Sequence, residues 1–299
     1  MAGIQTLDLS FFGADGLISS FLAPTDDGFV LFDSGPASCV ESVDRRVQEA
    51  GYDLGQLRAV FATHVHLDHS GGAGVLARRT GCRVFCHPTG AGHLADPGAK
   101  LLPSAERLYG DMMVPLWGRT EGVEGDALTA VADAEKVTID GLEVTAWHTP
   151  GHAVHHVAWQ VGDHVATGDV AGVRFPGAEH VLPPMPPPDI DVEAWFRSLD
   201  RLRSLEPAAV MLTHFGAFTD CERHFDELED RLRRWTAIAE RVVGDGGDRD
   251  ALGAELADLD ETEMSAAGVP PDVAERYRRL CPVKESSIGL YRYCTLKNG

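Results

Sequence analysis

Strand-like and helix-like patterns alternate along the first part of the chain. The largely apolar runs GFVLFDSG (28–35) and LRAVFAT (57–63) predict buried strands. The amphipathic stretch SCVESVDRRVQEAG (38–51) predicts a helix that ends at a glycine, and GGAGVLARRTG (71–81) predicts a second helix. CRVFC (82–86) predicts a further strand. This alternation predicts an α/β fold built in layers.

The strand pattern returns from residue 136 onwards. KVTIDGLEVTAWHTPGH and HHVAWQVGDHVATGD alternate apolar and polar residues, and their Asp-Gly and Gly-Asp pairs predict hairpin turns. FPGAEHVLPPMPPPDID (175–191) contains too many prolines for a helix or a central strand, so we expect an extended loop. Asp191 is predicted to cap a helix whose apolar stripe faces the core. The stripe consists of Val192, Trp195, Phe196, Leu199 and Leu202.

The pattern divides the chain into a core, residues 1–218, and a mostly helical extension, residues 219–299. Within the core, residues 91–125 predict an insertion that is either a lid or a helix packed on the core, and the sequence leaves both open. The extension is charged and helical at first, and its tail, SSIGLYRYCT (286–295), predicts a final strand.

Composition and charge exclude several classes of partner. The 299 residues carry a formal net charge of −20, and such a charge repels nucleic acid and anionic membranes. No apolar run of about 18 residues occurs, so we expect no membrane span. The six cysteines form no CxxC pair and the N-terminus does not resemble a signal peptide. We therefore expect a cytoplasmic protein with reduced thiols that acts on a small molecule, and a homo-oligomer is left open.

Metal-competent side chains follow several predicted strands at the point where each strand ends. The carboxyl ends of strands aim their loops at a common crevice, so these side chains are expected to meet. One strand that ends in a metal-competent residue is unremarkable, whereas four such strands in one chain indicate a metal centre. The residues are His64, His66, Asp68 and His69 after the strand at 57–63, followed by His152, Asp169 and His214 after later strands.

The spacing within THVHLDHSGG (63–72) refines this prediction. His64 and His66 lie two residues apart on extended backbone, so their side chains point the same way and can bind one ion. Asp68 and His69 follow where the chain turns, and they can reach a second ion. Imidazole with carboxylate suits Zn²⁺, Mn²⁺ or Fe. Few ligands per ion leave coordination positions open, as a catalytic site requires.

This combination of motifs resembles the metallo-β-lactamase superfamily, in particular its glyoxalase II-like and lactonase-like branch. The motifs are HxHxDH at 64–69, TPGH at 149–152, GD at 168–169 and the strand-terminal His214. The resemblance covers roughly residues 5–218. It implies an α/β fold, the four-layer αββα metallo-β-lactamase sandwich, here with a C-terminal mostly helical extension.

The resemblance also implies a ligand set for two divalent metal ions, with Zn²⁺ favoured and Mn²⁺ or Fe as alternatives. The first ion takes His64, His66 and His152, the second takes Asp68, His69 and His214, and Asp169 bridges the two. Two ions that share a hydroxide generate a nucleophile near neutral pH and polarise the bond to be cleaved. Asp68 is then the candidate catalytic residue that orients the water and passes a proton to the leaving group.

Other residues are predicted around this centre rather than in it. Asp33 matches the family's early strand acid, which in the family supports the metal loop, residues 63–72 of this chain, through hydrogen bonds. His87 and His155 are candidates to support the ligands or to face the substrate, and packing is favoured over ligation for His155 and His156. Four further histidines are predicted on the surface or in loops. They are His93, His164, His180 and His224.

The reaction that this combination favours is hydrolysis of an ester-like acyl bond, in a thioester, a lactone or a related ester. Glutathione specificity is not expected, because the tail has no clear counterpart of the basic residues with which glyoxalase II enzymes hold glutathione. A β-lactamase is disfavoured by the presence of both Asp68 and Asp169. The alternatives are a small-molecule phosphodiesterase, a mononuclear-iron oxidoreductase of the persulfide dioxygenase type and a non-catalytic metal-binding scaffold.

Overall fold

The computed structural model describes residues 3–297, so residues 1, 2, 298 and 299 of the predicted ranges lie outside it. The chain forms two compact units. The first unit comprises the residues up to His148 together with His155–Gly168, and the second comprises Thr149–Val154 and the residues from Asp169 onwards. The strands form two six-stranded sheets. The predicted boundary at residue 218 is not tested by this grouping and stays a prediction.

The first unit contains the whole of the first sheet. Its strands follow one another in space as they do in sequence, with antiparallel pairing as far as the third strand and parallel pairing from there on. They are β1 (Gln5–Asp8), β2 (Ser19–Thr25), β3 (Gly28–Phe32), β4 (Leu57–Phe61), β5 (Arg83–Cys86) and β6 (Leu128–Ala130). The strands predicted at 28–35, 57–63 and 82–86 are therefore confirmed as β3, β4 and β5.

Six helices accompany this sheet in the first unit. They are α1 (Val40–Glu49), α2 (Leu67–Ser70), α3 (Ala73–Thr80), α4 (Pro88–Ala95), α5 (Leu101–Tyr109) and α6 (Met113–Trp117). The helices predicted at 38–51 and 71–81 are confirmed as α1 and α3. Both end where the chain reaches a glycine, Gly51 and Gly81.

An aromatic ladder fixes the strand that leads to the metal loop. The rings of Phe32, Phe61 and Phe85 stack across β3, β4 and β5 at centroid distances of 5.5 and 4.9 Å. Trp159 packs on Phe61 at 5.0 Å, and its indole N–H donates to the Ala62 carbonyl oxygen at 3.0 Å. Buried aromatic rings supply much packing area, and a buried indole N–H needs an acceptor. The end of β4 is therefore held from the side as well as along the sheet.

An antiparallel meander completes the first unit. It consists of β7 (Lys136–Ile139), β8 (Leu142–His148), β9 (Val157–Val161) and β10 (His164–Ala166). The predicted hairpin turns lie at Asp140-Gly141 and Gly162-Asp163, where both glycines have positive φ. In the second unit, β11 (Ala209–Leu212) pairs with β12 (Gly216–Phe218) in an antiparallel hairpin. β11 is the strand predicted to end near His214.

Five helices make up most of the second unit. They are α7 (Val192–Ser204), α8 (Cys221–Gly244), α9 (Arg249–Ala266), α10 (Pro271–Leu280) and α11 (Val283–Lys297). The Asp191 carboxylate accepts a hydrogen bond from the Ala194 N–H at 2.9 Å, which confirms it as the cap of α7. None of the helices within residues 3–297 is long and apolar enough to cross a membrane. All six cysteines are buried free thiols.

The prediction of a final strand at 286–295 was wrong, because these residues belong to α11. The aromatic and small residues of SSIGLYRYCT favoured a strand locally. However, the buried positions Ser286, Ser287, Leu290 and Cys294 recur at helical spacing and pack against the neighbouring helices. Tertiary packing thus overrides the local strand preference.

Residues 91–125 contain helices, and they combine packed and exposed side chains. Trp117 is buried and stacks on Phe11 at 5.5 Å, as a helix packed on the core would. Leu108, Met112 and Val114 are exposed, with 61%, 42% and 61% of their surface accessible. Part of this region therefore packs on the core as the helix alternative predicts, and the lid stays a prediction.

Two of the histidines predicted on the surface or in loops are buried, His180 in a loop as predicted and His224 in a helix. His180 lies in the predicted loop, but its Nε2 is 2.7 Å from the Asp260 carboxylate and both side chains are buried. His224 lies on α8, where its Nε2–H donates to the Ala171 carbonyl oxygen at 2.7 Å. Burial lowers the pKa of His224 to about 4, so the imidazole is neutral near pH 7.

Acid is therefore expected to destabilise the fold through His224. The unfolded imidazole binds a proton below about pH 6.5, whereas the folded one stays neutral down to about pH 4, so stability falls as the pH decreases through this window. His224→Gln keeps a donor for the Ala171 carbonyl and should reduce the stability loss between pH 7.5 and 5 by up to about 2 kcal/mol. Urea denaturation at the two pH values measures this. His164→Gln is the surface control, and equal pH dependence in all three proteins would contradict the prediction.

Candidate metal centre

In the first unit, the four predicted ligands lie on one short segment after β4. His66 is the N-cap of the one-turn helix α2, and Asp68 and His69 lie in that turn. His64 and His69 are buried, with their ring centroids 4.0 Å apart, whereas Asp68 is partly exposed. Extended backbone followed by a single helical turn thus gathers the side chains of four predicted ligands within six residues.

The His64 and His66 rings present nitrogen atoms to each other. His64 Nε2 lies 2.9 Å from His66 Nδ1. Two nitrogen lone pairs at this distance repel each other unless a proton or a cation lies between or beside them. Neutral imidazoles are common metal ligands, so this donor pair fits a cation such as Zn²⁺.

Asp33 forms hydrogen bonds to the metal loop, and its role in supporting a metal centre stays a prediction. One carboxylate oxygen accepts the Thr63 backbone N–H at 2.7 Å, and the other lies 2.7 Å from His69 Nδ1. The Thr63 hydroxyl donates to that second oxygen at 2.9 Å. Because the carboxylate accepts from His69 Nδ1, it leaves His69 Nε2 as the nitrogen that can bind a metal.

The turn after Asp33 also holds the loop backbone. The His69 carbonyl oxygen accepts the backbone N–H groups of Ser34 and Gly35, at 2.8 and 3.1 Å, and the Ser34 hydroxyl at 3.1 Å. His69 is therefore held through its ring by Asp33 and through its carbonyl oxygen by Ser34 and Gly35. This rigidity is what a preorganised ligand set requires.

Gly168, which precedes Asp169, also packs against this loop. Its φ is +48°, and a Cβ placed there would lie 2.6 Å from the Thr63 hydroxyl oxygen and 2.9 Å from His156 Nε2. A larger residue would be strained in its backbone and would collide with Thr63. Steric exclusion of larger side chains thus explains why glycine precedes Asp169 in the sequence motif.

In the second unit, Asp169 lies between two of the predicted ligands. One carboxylate oxygen is 3.5 Å from His152 Nε2, and the other is 3.5 Å from His214 Nε2. All three side chains are buried. Each oxygen of this carboxylate therefore lies near a different imidazole.

Hydrogen bonds fix His152 in its tautomer. Its Nδ1–H donates to the Pro184 carbonyl oxygen at 2.8 Å, which leaves Nε2 on the side of Asp169. Trp195 of α7 packs edge-on against the ring at 5.8 Å, and its indole N–H donates to the Val170 carbonyl at 2.6 Å. His152 is therefore held by a loop carbonyl and by a helix.

His214 is held through its backbone by Arg174. The Arg174 N–H donates to the His214 carbonyl oxygen at 2.8 Å, and the Phe215 N–H donates to the Arg174 carbonyl oxygen at 3.0 Å. The Arg174 guanidinium forms two parallel hydrogen bonds to the Asp220 carboxylate, at 2.9 and 3.0 Å. These bonds hold the pKa of Asp220 well below its ordinary value.

The remaining candidate histidines lie in the first unit. His155 is 5.8 Å from His66 between ring centroids, and the buried His156 stacks on His64 at 5.0 Å. His87 Nδ1 accepts the Thr89 N–H at 3.0 Å as the N-cap of α4, and its ring lies 4.1 Å from that of His148. Burial, together with the His148 charge, lowers the pKa of His87 to about 4. A role for His87 or His155 toward substrate stays a prediction.

Sequence reasoning did not assign Thr63 and Pro184, which support the ligands. Thr63 directly precedes the motif, and its hydroxyl lies 3.1 Å from His64 Nδ1 and 3.3 Å from His69 Nδ1. Its position after an apolar strand was the available signal. Pro184 acts through a backbone carbonyl, which no side-chain pattern indicates.

Comparison with known proteins places the chain in a family. Residues 13–214 match the family model described as the metallo-beta-lactamase superfamily. Because this match spans more than half of the chain, the protein belongs to that superfamily. The described residues include groups of histidine and aspartate side chains that could hold a metal ion, and each of the seven predicted ligands belongs to such a group.

Individual relatives agree with this assignment. The chain is 33% identical over 179 residues to the metallo-beta-lactamase fold-containing protein ST1585 of Sulfurisphaera tokodaii, covering 58% of this chain and 67% of that protein. It is 28% identical over 242 residues to a hydroxyacylglutathione hydrolase of Acidiphilium cryptum, covering 78% and 75%.

Solved structures confirm the fold class. The metallo-beta-lactamase family protein TTHA1429 of Thermus thermophilus aligns with a TM-score of 0.71 at 18% identity, covering 100% of this chain and 95% of that one. The likeness includes the C-terminal extension. The chain therefore has the metallo-β-lactamase fold, with two sheets, flanking helices and a helical C-terminal extension.

Proposed function

We propose that the protein is a binuclear metal-dependent hydrolase that cleaves an ester-like acyl bond in a small molecule, such as a thioester, a lactone or a related ester. The first ion would be held by His64, His66 and His152, the second by Asp68, His69 and His214, and Asp169 would bridge them. Zn²⁺ suits this set of imidazole and carboxylate donors, as do Mn²⁺ and Fe.

The environment of Asp169 carries the proposal. Its two carboxylate oxygens lie 3.5 Å from the Nε2 atoms of His152 and His214, which are assigned to different ions. A carboxylate that served one ion would not need a histidine at each oxygen. The arrangement favours two ions over one and thus favours the hydrolase over the mononuclear-iron alternative.

When bound, two ions would supply a nucleophile from water near neutral pH and stabilise negative charge on the acyl oxygen. The protein's own part in the step is to hold the ligands and to move a proton. The Asp68 carboxylate, with 23% of its side chain exposed, would accept the proton of the attacking water and give it to the leaving thiolate or alkoxide. The water oxygen would add to the acyl carbon, and the bond from that carbon to the leaving sulfur or oxygen would then break.

The names of two relatives support the acyl substrate class. One is the hydroxyacylglutathione hydrolase of Acidiphilium cryptum noted above. Another is the atrochrysone carboxyl ACP thioesterase of Aspergillus fumigatus, which is 24% identical over 190 residues, covering 62% of this chain and 35% of that protein. Both names describe cleavage at an acyl group. The charge of −20 supports a small substrate over nucleic acid.

A substrate panel with defined metal content tests the proposal. Protein loaded with Zn²⁺ or Mn²⁺ is given acyl thioesters, lactones, carboxylic esters and bis(p-nitrophenyl) phosphate. We expect turnover of at least one acyl substrate to exceed that of the phosphodiester, to disappear with a chelator and to return with metal. Hydrolysis of the phosphodiester alone would overturn the acyl assignment. Oxygen-dependent oxidation of a persulfide by iron-loaded protein would favour the oxidoreductase instead.

A further inference from the structure

The carbonyl that orients His152 belongs to a loop with almost no backbone hydrogen-bond donors of its own. This loop, residues 183–188, has the sequence PPMPPP, so Met185 is the one residue in it with a backbone N–H. Its Pro184 carbonyl accepts the His152 Nδ1–H at 2.8 Å. A loop without internal hydrogen bonds needs an outside support to hold one carbonyl in place.

The last helix supplies that support at Met185. The Met185 N–H donates to the Ser286 hydroxyl of α11 at 3.4 Å, and the Met185 side chain is fully buried. Gly289, one turn further along α11, faces the Met185 carbonyl oxygen so closely that any Cβ at this position would overlap that oxygen. The helix therefore contacts both backbone groups of the residue that follows Pro184.

α11 is itself held firmly against its neighbours. Its Tyr291 hydroxyl donates to the Gly247 carbonyl oxygen at 3.1 Å, and Lys297 Nζ donates to the Glu193 carboxylate on α7 at 2.8 Å. Leu290 and Cys294 are fully buried. On the other side of the loop, Leu182 is paired with Val173 through two backbone hydrogen bonds of 2.8 and 2.9 Å. Met185 is thus the central support of a loop that is already fixed at its start.

We propose that Gly289 and Ser286 of α11 are positioning residues for the metal ligand His152, acting through Met185 and the Pro184 carbonyl. The C-terminal extension would then be part of the support of the metal centre. This inference rests on the proposed function, because it takes His152 as a ligand. It predicts that a change in α11 lowers the affinity for the ion assigned to His64, His66 and His152 more than the affinity for the other ion.

Gly289→Ala tests this with little risk to the helix, because alanine is a better helix former than glycine. The new Cβ must displace Met185, so we expect the affinity for one of two ions to fall about 10-fold or more, the range found when groups behind a metal-ligating histidine are altered. Ser286→Ala removes the acceptor of the Met185 N–H without adding bulk and should cause a smaller loss at the same ion. Gly244→Ala, at the end of α8 where a Cβ would contact nothing, is the matched control.

The measurement is Zn²⁺ content of the full chain against increasing concentrations of a competing chelator, together with the NMR signal of the His152 imidazole. We expect one ion to be lost early and the His152 signal to move in both α11 variants, with Gly244→Ala like wild type. Wild-type affinities and an unmoved signal in both α11 variants would overturn the inference and leave the proposed function intact. A wild-type protein that binds no metal would overturn both.

Discussion

Asp169→Ala is expected to reduce the occupancy of both metal ions and to lower hydrolytic activity by more than about a hundredfold. Altering groups behind a ligand costs about 10–100-fold in metal affinity or activity, and loss of a ligand shared by two ions should exceed that. Asp169 is buried and has a histidine Nε2 at 3.5 Å from each carboxylate oxygen, so its removal affects both assigned sites. Metal content after dialysis and initial rates on an acyl substrate are the measurements.

His155→Ala is the matched control for Asp169→Ala. His155 is buried, and its ring lies 5.8 Å from that of His66, so it packs beside a predicted ligand and is not assigned as one. We expect its metal content to stay close to that of wild type. If His155→Ala and Asp169→Ala lost metal equally, the assignment of ligands and supporting residues would be wrong.

Asp33→Asn is expected to destabilise the fold and to lower the binding affinity for the ion assigned to His69. The Asp33 carboxylate accepts from the Thr63 N–H, the Thr63 hydroxyl and His69 Nδ1, and an amide cannot accept all three. Leaving buried donors without an acceptor should cost about 2–4 kcal/mol in the free energy of unfolding. Metal affinity should fall about 10–100-fold. Urea denaturation without metal measures the first effect, and chelator competition measures the second.

The chain offers a matched control for this variant. The Asp163 carboxylate lies 2.7 Å from His164 Nδ1, the same distance as between Asp33 and His69, but Asp163 is largely exposed. Asp163→Asn should therefore leave stability and metal affinity near wild type, because solvent replaces an exposed contact. Similar losses in the two variants would mean that Asp33 has no special role behind the metal loop.

Four of the seven predicted metal ligands could be grouped from the sequence because they lie on one short segment. His64, His66, Asp68 and His69 follow one buried strand, and a strand end followed by one helical turn places them together without help from distant residues. The apolar runs at β3 and β4 were equally clear, because strands that are largely buried on both faces carry mostly apolar residues.

The predictions were wrong or incomplete where contacts between residues far apart in the sequence determine the local structure or the burial of a side chain. The tail at 286–295 has local strand preference, but packing against other helices makes it part of α11. His224 looked like a surface helix residue until the fold placed the Ala171 carbonyl against it. The support of His152 by the Pro184 carbonyl depends on a backbone atom 32 residues away, which a side-chain pattern does not reveal.

The measurement that tests the central claim most directly is metal stoichiometry, by elemental mass spectrometry on untagged protein purified without chelators. We expect two zinc or manganese ions per chain. About one iron per chain would contradict the binuclear hydrolase and favour the oxidoreductase. A chain that holds no metal, even after reconstitution with Zn²⁺, Mn²⁺ and Fe²⁺, would contradict the metal centre itself.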